Sequence, residues 1–301
     1  MNMNKRTIYL SVVLSTYNDE KYIKESIQSI LDQTYPYFEF IIVNDGSTDC
    51  TLDIIKSFTD ERIVLIDKPN TGLIDSLNIG VRAAKYDWIA RMDGDDIAEP
   101  NRFDEEVKLL NDSVAIVSSQ CNVIDSTGKI IGHTKFLAGI VGKYMSLLLD
   151  LPLIVHPSVV FNKVIFKNVG GYDPNMNIAE DYDLWCKMLS LGKLIISPQR
   201  LLNLRKHESN ISITKRELQI LNNCIGFAKK THHIYRNLSR KEYNYVCLYI
   251  QKSWLYNRYY SKPERSKIDY LLKHIARYCD MYLNQCIRQT LKKIRNHEHI
   301  N

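Results

Sequence analysis

Four short apolar runs, at residues 8–14, 38–43, 63–66 and 87–92, are each followed by a polar turn and then by a stretch of helical spacing. After the first, Ile23, Ile27, Ile30 and Leu31 recur at helical intervals within residues 20–33. After the second, a Ser- and Asp-rich turn leads into a helix through Ile54 and Ile55. Leu73, Leu77 and Val81 mark a third helix over 71–84, residues 103–110 a fourth, and 114–117 read as another strand. Strands alternating with helices at this spacing predict an α/β fold with a mostly parallel sheet covered by helices on both faces. The 301 residues suit one large domain or two small ones, and 45% hydrophobic content is enough for a proper core.

Open sheets of this kind bind ligands beyond the carboxyl ends of their strands. Three of those ends carry side chains suited to binding: Ser15-Thr16-Tyr17-Asn18, Asn44-Asp45-Gly46-Ser47, and Asp93-Gly94-Asp95-Asp96. The last is the densest, and carboxylates so close together call for a cation. Mg2+ or Mn2+ typically takes one or two carboxylates and completes its shell with phosphates and water. The alternative is an acidic turn in which Asp95 or Asp96 helps to start the helix after Pro100. Likewise Asp45 suits an Asx-type turn, Thr16 and Asn18 a helix start, Tyr17 a half-buried position and Lys68 a solvated loop. A glycine fingerprint after the first strand and a phosphate-binding P-loop are both missing, which disfavours dinucleotide enzymes and P-loop NTPases. A diphosphate here would need another counter-charge, which a metal on the acidic loop supplies.

The motifs just named, with Asn70-Thr71-Gly72, Gly170-Gly171-Tyr172-Asp173 and Ala179-Glu180-Asp181-Tyr182-Asp183-Leu184-Trp185, resemble in order and spacing the inverting family 2 glycosyltransferases of the GT-A fold over residues 8–212. The resemblance implies that Thr16, Tyr17, Asp45 and Lys68 approach the uridine of a nucleotide sugar, with Asn18 and Gly94 alongside. It further implies Asp93 near the ribose and Asp95 on the metal. Ser15 stands where that family often has Pro, and Gly94 where its close members often have Ala.

Residues 118–178 are less informative. Residues 124–131 read as a hairpin and 143–150 as a helix, and His156-Pro157-Ser158 precedes an apolar run. His156 suits either a structural role or, by the resemblance, the acceptor side. From 180 onward Leu184, Met188 and Leu191 form a helical stripe, leaving Glu180 and Asp181 in a first turn where the helix dipole favours acids. Transfer of a sugar to a hydroxyl nevertheless requires a carboxylate to take the hydroxyl proton. The resemblance gives that role to Asp181, with Glu180 orienting acceptor or loop. Trp185 could stack on a sugar ring or pack in the core. Strands are expected at 194–196 and 201–204. Beyond them the resemblance implies that His207, in an Arg-x-His segment, reaches the metal, the alternative being a surface loop residue, and Arg205 or Lys206 could instead neutralise diphosphate.

From Thr214 to the end there are 18 Lys+Arg against 6 Asp+Glu, while residues 1–213 have 22 against 28. An acidic catalytic domain over 1–213 is therefore expected to carry a basic, amphipathic helical region over 214–301. That region holds ten of the nineteen tyrosines. It suits either an anionic membrane surface or packing against the catalytic domain or a second subunit, as in a homodimer. Its cations are dispersed and no recognition motif accompanies them, so nucleic acid is not expected as a partner. Seven cysteines without a C-x-x-C pair indicate neither a disulfide framework nor zinc, and no apolar run is long enough to span a membrane. The expected setting is cytoplasmic, peripheral on the inner face of the membrane.

The acidic loop together with the resemblance thus predicts a metal-dependent inverting transferase. By that resemblance it would move one sugar from a nucleotide-diphospho-sugar, UDP-linked, to a hydroxyl of a glycan or lipid-linked acceptor in surface polysaccharide biosynthesis. The rivals are a nucleotidyltransferase, whose Gly-rich N-terminal loop is missing here, and a non-catalytic nucleotide-binding regulatory module.

Overall fold

A computed structural model of the chain describes residues 7–134, 139–141, 154–176, 179–208 and 210. The elements run β1 (Leu10–Thr16), α1 (Ile23–Leu31), β2 (Phe38–Asp45), α2 (Thr51–Lys56), β3 (Ile63–Lys68), α3 (Leu73–Ala83) and β4 (Trp88–Asp93). They continue with β5 (Ile97–Ala98), α4 (Arg102–Val107), β6 (Val114–Ile124), β7 (Ile130–His133) and β8 (Gly139–Val141). A short 3-10 turn (His156–Ser158), β9 (Val160–Asn162), α5 (Lys163–Asn168), α6 (Glu180–Met188) and β10 (Lys193–Arg205) complete the described part. The expected helix over 143–150 and the basic region over 214–301 lie outside the described residues.

The sheet order is β3-β2-β1-β4-β9-β6-β10-β5, with β7 on β6 and β8 on β10. Strands β3, β2, β1 and β4 pair in parallel, as their alternation with helices requires, and β6 and β10 are also parallel to each other. Strand β9 enters antiparallel between β4 and β6, so the sheet is mixed but largely parallel. The expected strands at 194–196 and 201–204 are one strand, β10, whose register slips on β6 between Ser197 and Leu202. Pro198 has no amide hydrogen for the ladder, and such irregularities are where a strand tolerates proline.

One sheet face packs Leu10, Val12, Leu14, Phe40, Ile42, Ala90 and Met92 against Ile23, Ile27 and Ile30 of α1 and Phe103 of α4, all fully buried. Each such aliphatic side chain contributes roughly 1.5–3 kcal/mol by leaving water. On the other face α3 approaches so closely that a Cβ at Gly80 would come within 2.5 Å of Val13 Cγ1. Both layers hold β1, β2 and β4 in register, pairing Ser15 with Asp93 and Thr16 with Asn44. The three polar strand ends therefore share one edge.

Candidate active site

The first two strand ends are tied to each other. Asn18 adopts a positive φ of 57°, a conformation its short polar side chain tolerates, and its Oδ1 accepts from the Thr48 amide at 2.8 Å. Its own amide donates to Ser47 Oγ. Tyr17 projects outward, 47% exposed. Asp45 is buried and fully engaged: it accepts from the Thr71 and Gly72 amides at 2.9 Å each and ion-pairs with Lys68. Burial alone would raise its carboxyl, but the Lys68 pair and the two amides hold it below the ordinary carboxylate value. Lys68 is thus not a solvated loop cation but the partner of Asp45, Thr71 and Asp75.

At the third end, ligand oxygens of Asp93, Asp95 and Asp96 lie within 4.8 Å of one another. Asp93 ion-pairs with Arg91. Asp95 Oδ2 meets His207 Nε2 at 2.8 Å and accepts from Asn210 Nδ2 at 3.0 Å. Asp96, 1% exposed, accepts from the Arg205 amide at 2.7 Å, while its Oδ2 has no hydrogen-bond partner among the described residues. Burial, then repulsion by Asp95 and Asp93, pushes the Asp96 carboxyl well up. Burial also raises Asp93, Arg91 opposing and Asp95 adding to it. Crowded carboxylates, a buried oxygen without a partner and an adjacent imidazole fit a hard or borderline divalent ion such as Mg2+ or Mn2+.

Two further acids stand here to which the sequence gives no individual role. Asp96 belongs to the acidic run that calls for a cation, with a turn or helix start as the alternative it shares with Asp95. Asp19 follows the polar end of the first strand, where no local signal marks it as part of the site. Its carboxylate accepts from Thr16 Oγ1 at 2.7 Å and is pushed up to about 6 by burial, with Asp95 and Asp93 adding to the shift. Gly94 makes this arrangement possible, because a Cβ there would come within 2.6 Å of Asp19 Oδ2 and 3.1 Å of Thr16 Oγ1.

Arg205 does not meet the expectation that it neutralises diphosphate. Its side chain is 2% exposed and its donors are occupied: Nε by the Asp95 carbonyl, Nη2 by Glu25, and Nη1 by the Asp125 and Ser126 carbonyls. Its guanidinium also lies 4.6 Å from the centre of the Tyr22 ring. Five donors in a rigid fork suit it to stapling the acidic loop to α1 and the β6–β7 turn.

Across the strand ends, α6 begins with Glu180, buried, and Asp181, whose Oδ1 accepts from the Tyr182 amide at 2.6 Å. Burial raises the Asp181 carboxyl, with the Tyr182 amide and Arg91 opposing. The charge of Asp181 adds to the upward shift of Asp93, so the two carboxyls lie within electrostatic reach of each other. Beneath them, His156 Nε2 shares a 2.8 Å hydrogen bond with Tyr172 Oη, and burial, aided by Arg91, drives its imidazole well below its ordinary pKa. Trp185 is 4% exposed and packs against His156 and Phe161. The expectation that it stacks on an acceptor sugar is therefore corrected: on α6 it lies one turn after Asp181, facing inward, and serves the core.

Among the described residues no helix is long and apolar enough to cross a membrane. A largely parallel sheet of this order, with clustered carboxylates at its strand ends, is the arrangement of the GT-A fold. Residues 11–170 match the family described as Glycosyl transferase family 2. The chain belongs to glycosyltransferase family 2. It is 35% identical over 217 residues to an uncharacterized glycosyltransferase of Haemophilus influenzae, covering 67% of each chain. It is 32% identical over 186 residues to the O-antigen biosynthesis glycosyltransferase WbnJ of Escherichia coli, covering 60% of this chain and 72% of that one. Its fold is shared with S. aureus TarS 1–349 in complex with UDP-GlcNAc, at TM-score 0.59 and 17% identity over 78% and 77% of the two chains. The mannosyltransferase PcManGT of Pyrobaculum calidifontis, in complex with GDP-Man and Mn2+, matches at TM-score 0.57 and 17% identity over 76% and 65%.

Proposed function

We propose that this chain is a metal-dependent inverting glycosyltransferase that moves one sugar from a UDP-linked donor to a hydroxyl of a glycan or lipid-linked acceptor in surface polysaccharide biosynthesis. The observation that carries the reading is the cluster of Asp93, Asp95 and Asp96 at the strand ends, with Asp181 within electrostatic reach of Asp93. Asp95 and Asp93, with His207 and the additional carboxylate Asp96, hold a Mn2+ or Mg2+ ion. Bound there, such an ion supplies positive charge for the diphosphate as it departs. Thr16, Tyr17, Asn18 and the Asp45–Lys68 pair line the nucleotide side, and Asp19 and Gly94 border the acidic loop. Asp181 takes the proton of the acceptor hydroxyl as that oxygen attacks C1 of the sugar, and Glu180 holds the start of α6. Attack opposite the departing diphosphate inverts the anomeric centre. General-base help of this kind contributes about 10²- to 10⁴-fold.

The O-antigen role of WbnJ supports a surface glycan as acceptor, and the UDP-GlcNAc complex of TarS supports a UDP-linked donor. Residues 1–213 form the catalytic domain in this reading, and the basic residues 214–301 hold it at the anionic inner face of the cell membrane. Flotation with vesicles containing phosphatidylglycerol tests that attachment, and sedimentation tests whether the region instead makes a homodimer. The catalytic test is Asp181→Asn, assayed with Mn2+ and a panel of UDP-, GDP- and dTDP-sugars. Lost transfer with retained nucleotide binding supports the reading. Unchanged turnover overturns the role of Asp181, and pyrophosphate release from a nucleoside triphosphate would make the protein a nucleotidyltransferase.

A further inference from the structure

Arg91 is a charged side chain of this site to which nothing above gives a task. It lies on β4, 3% exposed, and ion-pairs with Asp93 through Nη1. Its Nε donates to no described residue, and both nitrogens are closed to solvent. With two nitrogens closed to solvent and Asp93 as its ion-pair partner, its guanidinium acts on the site through that carboxylate. Its backbone amide donates to the Val159 carbonyl at 2.9 Å, just past the His156–Ser158 turn. His156 in turn packs edge-on against Trp185 at 5.7 Å, and Trp185 lies one helical turn after Asp181. Arg91 therefore joins the acidic loop, through its ion pair with Asp93, to the segment at Val159 that follows the His156–Ser158 turn. Its charge acts on Asp93, Asp96 and Asp181 alike. Folding alone gives no reason for an arginine here, because a buried ion pair can usually be exchanged for apolar groups of similar volume without loss of stability.

We propose that Arg91 is a positioning residue for sugar transfer: from beneath the site its guanidinium fixes the Asp93 carboxylate on the donor side and holds the Asp181 carboxylate toward the acceptor. The proposal rests on the function given above and adds to it one shared cation linking the two halves of the site. Without that cation the acids repel one another, and Asp181 turns away from the line of attack while the acidic loop keeps its affinity for a cation.

The test compares the full chain with Arg91→Met, which removes the charge at similar volume, and Arg91→Lys, which keeps it. Asp181→Asn serves as the reference for the function itself. Transfer kinetics, Mn2+ affinity by calorimetry and thermal unfolding are measured on each. Arg91→Met is expected to lower kcat by about 100-fold, the scale of a misplacement of about 1 Å, while donor KM changes less than about threefold. Mn2+ affinity stays level or rises, because a competing cation has left Asp93. Arg91→Lys is expected to recover at least about tenfold in kcat over Arg91→Met, since charge is restored without the planar fork. Wild-type kcat in Arg91→Met overturns the proposal. So does a fall in kcat matched by weaker Mn2+ binding and a lower melting point that Lys does not rescue. An active Asp181→Asn variant would instead overturn the function on which the proposal rests, and weaker Mn2+ binding in Arg91→Met would still count against Arg91 independently.

Discussion

The two sides of the site are built by opposite means. On the side proposed for the nucleotide, polar groups are tied by hydrogen bonds to backbone: Asp45 to the amides at 71 and 72, Asn18 to the amide at 48, Arg205 to three carbonyls. On the side proposed for the acceptor, the rings of His156, Tyr172, Trp185, Phe161 and Phe166 pack on one another, and Trp185 lies one turn after Asp181 on α6. Hydrogen bonds to main chain fix direction and tolerate little change, whereas a packed aromatic layer can be resized while its top surface stays in place. In the proposed reading, the first construction suits a nucleotide of fixed shape, and the second an acceptor whose fit is set by resizing the layer.

Breaking the acceptor side at its charged group is expected to have the largest effect. Asp181→Asn should lower kcat by about 10³-fold and leave nucleotide affinity unchanged, read by single-turnover transfer and by calorimetry. Because the Asp181 carboxyl is raised, wild-type activity should fall with decreasing pH through a midpoint above the ordinary carboxylate value of 3.8, as the base takes up its proton. The nucleotide side should respond in affinity. Asp95→Asn, or chelator, should cost about 100-fold in transfer and weaken both Mn2+ and nucleotide binding, as expected when a charged ligand is lost.

Asp45→Ala should cost about 1–3 kcal/mol of stability, because it leaves two amides and the Lys68 ammonium without their partner, and it should raise donor KM more than it lowers kcat. The stability that Asp45 contributes is present in full above 3.8 and drains away as pH falls through its lower folded value, so urea midpoints of wild type and variant should converge in acid. Gly94→Ala is expected to cost less, about 1 kcal/mol or fivefold in kcat/KM, since it need only displace the end of the Asp19 side chain. The smallest effect should come from beneath both sides: Ile27→Val in the α1 core, about 0.5–1.5 kcal/mol by denaturation with kinetics unchanged.

Sequence reading succeeded where the signal was local. Apolar runs ending in Thr16, Asp45 and Asp93 could be placed on one sheet edge because strand period, turn chemistry and parallel topology each point there. Asp95 beside His207 was anticipated through the family resemblance, and the two meet at 2.8 Å over a separation of 112 residues. It failed where a side chain's task depends on distant partners. Arg205 looked like a phosphate ligand until Glu25 and the carbonyls at 95, 125 and 126 occupied it. Trp185 was ambiguous until His156 and Phe161 enclosed it. Asp19 carries no local sign that Asp93 and Asp95 will come beside it, and at Asp96 the acidic run is legible but its burial is not.

By itself, the order of residues determined the alternation of strands and helices, the sheet edge that carries chemistry, and the kinds of group found there, since all of these follow from short-range periodicity and from polar residues placed just after apolar ones. Only the tertiary structure decided which of those groups remain open to a substrate and which are spent on holding the loops. That choice is made by contacts between segments tens to more than a hundred residues apart, and an unengaged carboxylate and a stapling arginine look alike until the chain has brought their partners to them.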